Sequence, residues 1–173
     1  MERTASKLAK SLKKATEDPL IGSKFPELKV KSLAGTWVTL PEAGAGKVRL
    51  IGIAFERKAQ SMLDSWFVPF EKEFGKNPRY QAYEIPMVGP NWNFLSLIID
   101  SGMRDGIPAE KHAYVLPVYE DYSKYQKELD LKAKELAYLF LLDKKGLIRW
   151  KGKGYPTAET LQEMILTARI SSL

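Results

Sequence analysis

The chain is 173 residues long, 45% hydrophobic and 28% charged. That fits one globular domain with a short tail and excludes a disordered or fibrous protein. With no cysteine and one histidine, His112, it excludes disulfides, thiolate metal sites, cysteine nucleophiles and multi-histidine metal centres, and leaves a serine–histidine triad a single candidate base.

Twenty-seven lysines and arginines against 21 acids give a net charge of +6. Such a balance suits an acidic protein, an anionic lipid surface or nucleic acid without selecting among them. The longest apolar runs have the length of strands, as in Leu136 to Leu142, far below the ~18 residues of a membrane-spanning helix.

Residues 1–19 read as a basic N-terminal arm and 20–173 as the folded domain. Arg3, Lys7, Lys10, Lys13 and Lys14 meet one acid, Glu2, in the first 14 residues. Leu8 and Leu12 add a thin apolar stripe, and Asp18-Pro19 ends any helix. The arm lacks the apolar stretch of a secretory signal and only partly fits a mitochondrial transit peptide.

Leu28 and Val30 alternate with lysines, Ser32 to Gly35 turn, and Trp37, Val38 and Leu40 resume, which predicts a hairpin. Val48 to Phe55 is a nearly continuous apolar strand, buried on both faces. Leu63, Trp66, Phe67, Phe70 and Phe74 make one wide stripe on a helix over 61–74. Ser61 and Asp64 are its expected cap, and Pro69 an expected kink.

A second strand is expected over 80–88, a helix over 92–103, a third strand over 113–119 and a short helix over 122–129. Leu136 to Leu142 is another buried strand. Asp143 to Gly146 then turns with glycine at a positive φ, 147–151 pairs back, and 157–169 closes as a helix. Alternating buried strands and helices predict an α/β fold with a mixed sheet flanked by helices on both faces.

Sequence motifs for catalysis fail on inspection. Gly44-Ala45-Gly46-Lys47 lacks the leading glycine and trailing hydroxyl of a phosphate loop, and it precedes a strand instead of following one. Gly152-Lys153-Gly154 lacks the third glycine of a dinucleotide fingerprint, and no acidic spacing matches a calcium loop. His112 reads as a loop or strand-edge residue. Lys144, Lys145, Arg149, Lys151 and Lys153, with Trp150 among them, form a basic stretch. Three roles stay open for it: protecting a sheet edge, docking an acidic protein or lipid, and holding nucleic acid, the last being the least favoured.

The segment Gly22 to Phe55 resembles the opening of redoxin-type thioredoxin folds, with a glycine, an apolar-Pro step, a hairpin, then Gly-Lys and a buried strand. In those families a reactive cysteine pair begins the next helix, and a cis-proline precedes the penultimate strand. Here the matching positions are Ala59-Gln60-Ser61-Met62 and Ala137. A disulfide oxidoreductase or thiol peroxidase therefore lacks its nucleophiles.

Arg57…Gln60-Ser61-Met62…Ser65-Trp66…Pro69-Phe70, with Tyr138 to Asp143 and Gly146-Leu147-Ile148-Arg149-Trp150…Gly152…Gly154, resembles the mitochondrial ATPase complex assembly factor family numbered ten. The resemblance implies a thioredoxin-like, non-enzymatic helper of the membrane sector of the F-type ATP synthase. It implies a place on the matrix side of the inner membrane without crossing it, and no cofactor or metal. The alternatives are an accessory subunit of another respiratory complex and a diverged peroxiredoxin-like enzyme, for which Ser61 is the sole nucleophile near the lost thiols.

Expected partners are membrane-embedded subunits, with an anionic lipid surface as a secondary contact. The expected partner-binding residues are Arg57, Lys58, Gln60, Ser61, Met62 and Ala137 at the lost redox site, extended by Arg149, Trp150, Lys151 and Lys153 on the hairpin.

Overall fold

The computed structural model describes residues 2–173, apart from the side chains at positions 8, 11, 12, 15, 16 and 94. The stripe expected from Leu8 and Leu12 thus lies outside the described residues. Helix α1 spans Glu2–Glu17. Asp18 follows it and accepts the Leu20 amide at 3.0 Å.

Strands β1 (Leu28–Lys31) and β2 (Trp37–Leu40) form the N-terminal antiparallel hairpin, with Leu28 opposite Leu40. Strand β3 (Val48–Ala54) leads into a 3-10 turn at Arg57–Ala59 and helix α2 (Gln60–Phe74), and strand β4 (Tyr80–Pro86) follows. Helix α3 is Ser96–Gly106 and α4 is Ser123–Glu128. Strands β5 (Tyr138–Leu142) and β6 (Ile148–Lys153) and helix α5 (Ala158–Ser171) complete the chain. The main sheet has the order β4-β3-β5-β6, with β3 parallel to β4 and β5 antiparallel to both its neighbours. This is the mixed thioredoxin-like sheet.

Two apolar layers sandwich it. Leu63, Trp66, Phe67, Phe70 and Phe74 of α2, with Met164 and Ala168 of α5, cover Val48, Leu50, Leu139 and Leu141 on one face. On the other face Leu28, Val30 and Leu40 of the hairpin, with Leu116, Val118, Leu129 and Leu131, cover Ile51, Ile53, Ile85 and Phe140. Gly52 sets the height of α2 above β3. A Cβ there would stand 2.5 Å from the Phe67 ring and 2.8 Å from Leu63, so any larger residue would lift the helix.

Strand β6 carries a bulge. Leu142 pairs with Ile148 but Leu141 pairs with Trp150, leaving Arg149 as the extra residue. Ile148 therefore joins the hairpin-side layer, whereas Trp150 joins the helix-side layer. Simple alternation would put both on one face.

Several sequence expectations are corrected. The 113–119 strand is a 3-10 turn over Ala109–Tyr114, followed by a short extended segment. That segment touches β4 through the parallel bridges Glu84 to Val115 and Met87 to Val118. Leu116 and Val118 donate to β4, so the nitrogen of Pro117, which lacks a hydrogen, faces away from it and closes the segment's outer side to a further strand. The 92–103 helix begins as a 3-10 turn, Pro90–Leu95, and α3 buries none of its described side chains. Helix α2 has no side-chain cap: its N-cap is Ala59. The preceding 3-10 turn feeds directly into the helix, so Asp64 instead accepts from Gln60 at 3.0 Å. His112 sits in a 3-10 turn, with Nε2 2.8 Å from the Ile107 carbonyl.

The aromatic stripe of α2 is core, since Trp66 is 1% and Phe70 2% exposed. Phe70→Ala should therefore cost about 3–5 kcal/mol, read as a shift of the denaturation midpoint at unchanged slope. An unchanged midpoint would refute the core assignment.

Candidate functional site

Parallel β3 and β4 end at the same edge of the sheet, and the chain leaves β3 there into the Arg57–Ala59 turn. Arg57, Lys58, Gln60 and Ser61 are exposed at this corner, and Met62 is half-buried. Lys58 pairs with Glu56 at 3.0 Å. Among the described residues Arg57 has no ion pair, so its guanidinium stands free at the rim.

The second wall is the segment before β5. The third is the loop after β6, which sequence reasoning missed. The Gly154 amide donates to the Ala137 carbonyl at 2.9 Å. The Trp66 indole N–H donates to the Gly154 carbonyl at 2.7 Å, so a core side chain of α2 fixes that loop. The hydroxyls of Ser61 and Tyr155 lie 2.7 Å apart, and the Tyr155 ring is 59% exposed. Tyr155 thus spans from the third wall to the position the reactive thiol pair would occupy. Its sequence context, Gly154-Tyr155-Pro156 after a strand, marks a rigid turn but does not reveal which helix it meets.

Two expected contact residues are inside the protein. Ala137 is wholly buried, and only its backbone contributes to the site. Trp150 is 8% exposed and packs on Trp66 with ring centroids 5.2 Å apart. The bulge turned it inward, so its face is unavailable to stack on a nucleic-acid base.

The hairpin cations divide between the two ends of the sheet. Lys153 pairs with Tyr138 in register and lies at the groove end. Arg149 lies at the opposite end, about 13 Å away at ~3.3 Å per residue, and donates from Nε to Asp143 Oδ2 at 2.7 Å. Lys151 pairs with Asp18 at 2.6 Å. Lys144 donates to the Leu173 carbonyl at 3.4 Å. What reads as one basic stretch is mostly a set of local pairs, not a continuous surface.

The sheet order and its flanking helices define a thioredoxin-like domain, and Ser61 and Ala137, which the resemblance matches to the thiol pair and the cis-proline, lie at one corner of it, linked through Tyr155 and Gly154. A family profile described as ATP10 protein matches residues 22–169, and the chain belongs to that family. Among solved structures it is similar to a putative thiol:disulfide interchange protein DsbE from Chlorobium tepidum. That match has 18% identity and a TM-score of 0.60, covering 86% of this chain and 96% of that one. It is also similar to the exposed lipoprotein thioredoxin Etrx1 of Streptococcus pneumoniae strain TIGR4, at 10% identity, TM-score 0.56 and coverages of 82% and 98%. A yeast mitochondrial 1-Cys peroxiredoxin matches at 16% identity, TM-score 0.54 and coverages of 84% and 74%. These likenesses establish the fold alone. No curated protein sequence matches the chain.

Asp143 shows what the hairpin charges do. Burial pushes its carboxyl up, but the Arg149 guanidinium and the amides of Leu147 and Lys145 outweigh burial and hold it below the usual range. A depressed carboxylate stabilises the fold above its unfolded pKa, near ~3.9, and that share is lost as pH falls through the lower folded value. Asp143→Asn should therefore flatten the acid limb of a melting-temperature profile below about pH 4. An acid limb identical to the parent's would remove Asp143 from the acid response.

Proposed function

We propose that this ATP10-family chain is a non-enzymatic assembly factor for the membrane sector of the mitochondrial F-type ATP synthase. It works on the matrix side, against the inner membrane, and its clients are membrane-embedded subunits. The observation that carries this is the family match across residues 22–169, on a groove whose reactive positions carry no thiol. A thioredoxin groove without thiols still presents peptide-docking walls, so binding persists where electron transfer is lost. None of the described helices is long and apolar enough to cross a membrane, which agrees with a peripheral association. The net charge of +6 adds attraction to an anionic leaflet, about 1 kcal/mol for each lysine close to it.

At the groove, Arg57 meets a carboxylate or phosphate of the partner, and Met62 makes adaptable apolar contact. Lys58, Gln60 and Ser61 complete that rim. Lys153 extends the cationic side of the same end and adds a longer-range, salt-sensitive term, whereas Arg149 and Lys151 are neutralised by Asp143 and Asp18.

The deciding measurement is blue-native electrophoresis of gently solubilised mitochondria, followed by identification of co-migrating subunits. Co-migration with membrane-sector subunits is the expected result; a protein absent from every high-molecular-weight band would refute the proposal. Arg57→Glu combined with Met62→Asp should weaken that association at least tenfold, about 1.4 kcal/mol, with the melting temperature unchanged. Unchanged association would move the interface off the groove. The purified protein should consume no peroxide in the presence of a thiol reductant, and turnover would revive the peroxiredoxin-like alternative.

A further inference from the structure

A second groove lies between α2, the outer edge of β4 and the Ala109–Tyr114 turn, with a volume of about 540 Å³; it adjoins the Arg57 corner through Gln60, which donates to Asp64. Its floor is apolar, built from Phe67, Phe74, Tyr80 and Ala82, and Val68 stands 64% exposed on its helical wall. Around that floor the chain places four carboxylates, Asp64, Glu71, Glu84 and Glu110, against one lysine. Lys111 is engaged with Glu71 at 3.0 Å. A net-acidic, apolar-floored groove in a protein of net charge +6 runs against the overall charge and fits an occupant that is basic.

The backbone identifies the form of that occupant. Along β4 the odd-numbered positions bond to β3: Arg79 accepts from Val48, and Met87 donates to Ala54. The even-numbered positions face the other way, where the Glu84 and Pro86 carbonyls accept from Leu116 and Val118. The 115–118 segment covers only this C-terminal half of the edge. By the same alternation Ala82 turns its amide and carbonyl toward the groove, where the Gln81 side-chain amide donates to the Ala82 carbonyl at 3.1 Å. With the Tyr80 amide bonded to the Asn77 carbonyl, the Ala82 amide is the donor this edge presents to the trough, a starting point for strand addition.

We infer that this groove docks an extended polypeptide segment bearing lysine or arginine, which adds to β4 beside Ala82 and sets its basic side chains against Asp64, Glu71 and Glu110. Apolar side chains of the alternate phase enter the trough over Tyr80 and Phe74. Glu84 lies deepest, and burial holds its carboxyl above the usual range, a cost that a cation brought alongside would relieve. A membrane-embedded client of the kind proposed above could present such a segment in a loop outside the bilayer. The docking chemistry stands without that identification.

The test uses the full chain and a fluorescein-labelled ten-residue peptide alternating lysine with valine, read by anisotropy. A glutamate-for-lysine counterpart serves as comparison. Saturable binding of the basic probe, at least tenfold tighter than the acidic one and weakened by salt, is expected. Glu71→Lys with Glu110→Lys should weaken it at least tenfold at unchanged melting temperature. Ala82→Pro deletes an amide that β3 does not use, and should weaken it comparably; the charge-reversal pair keeps the test decisive should that variant fold poorly. Equal affinity for the two probes, or undiminished binding by the charge-reversed protein, would overturn the inference. So would binding abolished by Arg57→Glu but not by Glu71→Lys with Glu110→Lys, which would send the peptide to the first groove. None of these outcomes depends on the blue-native result.

Discussion

The fold is organised around one buried cation. Arg49 is fully buried in β3, and no carboxylate of the described residues pairs with it. Its Nε donates to the Lys47 carbonyl, one terminal nitrogen to the carbonyls of Pro41 and Ala43, and the other to that of Asp143. Burial lowers its pKa, but a guanidinium starts high enough to remain charged. Four carbonyl dipoles thus replace the hydration that a buried ion gives up, and each such bond to a charged donor is stronger than a neutral one. The consequence is topological. One side chain ties the loop after the N-terminal hairpin to β3 and to the turn between β5 and β6. Gly146 closes that turn at φ +83°, where a Cβ would stand 2.9 Å from Pro41. The two ends of the chain's β structure are thereby clamped at the edge of the sheet opposite the Arg57 groove.

That arrangement accounts for what the sequence could and could not disclose. The buried runs Val48 to Ala54 and Leu136 to Leu142 are legible because hydrophobic burial is read from residue type alone; the same is true of the α2 stripe and the terminal helix. Arg49 is not legible, because a lone arginine inside an apolar strand looks like an exception until its four acceptors converge from two separated segments, the 41–47 loop and Asp143. Trp150 is misleading for a related reason. Its orientation depends on a bulge at Arg149, and nothing in Ile148-Arg149-Trp150 distinguishes a bulged strand from a regular one. Tyr155 escapes notice because its partner, Ser61, is 94 positions away.

Region 90–106 is the clearest conflict between local pattern and packing. Trp92, Leu97 and Ile98 carry helix-compatible apolar spacing, yet they are 54%, 81% and 70% exposed. Helix α3 is held instead by a polar contact, the Tyr119 hydroxyl donating to Asp100 at 2.5 Å. Burial and the Asp100 carboxylate both raise the Tyr119 pKa, so the donor keeps its proton throughout the neutral range. Periodicity announces a helix here but does not say whether its apolar face meets the core.

The charge distribution bears on both proposed surfaces. Its excess of cations is not gathered into one patch: Lys7 pairs with Glu159, Lys111 with Glu71, Lys151 with Asp18 and Arg149 with Asp143. The exposed ones, Lys7–Glu159 and Lys111–Glu71, contribute little stability, at about 0–1 kcal/mol each, but all four cancel field locally. Arg57 and Lys153 stand at one end of the sheet, and Asp64, Glu84 and Glu110 stand beside β4. Helix α2 borders both the cationic rim and the acidic trough, which meet at Gln60 and Asp64, and its rigidity matters to both. Trp66 locks the third wall of the first groove through Gly154, while Phe67 and Phe74, from the same helix, floor the second. A single packed helix thus borders both of the proposed docking surfaces. That is a workable geometry for gripping one polypeptide at an acidic point and at a basic point together, because linking two weak contacts raises avidity without any new contact.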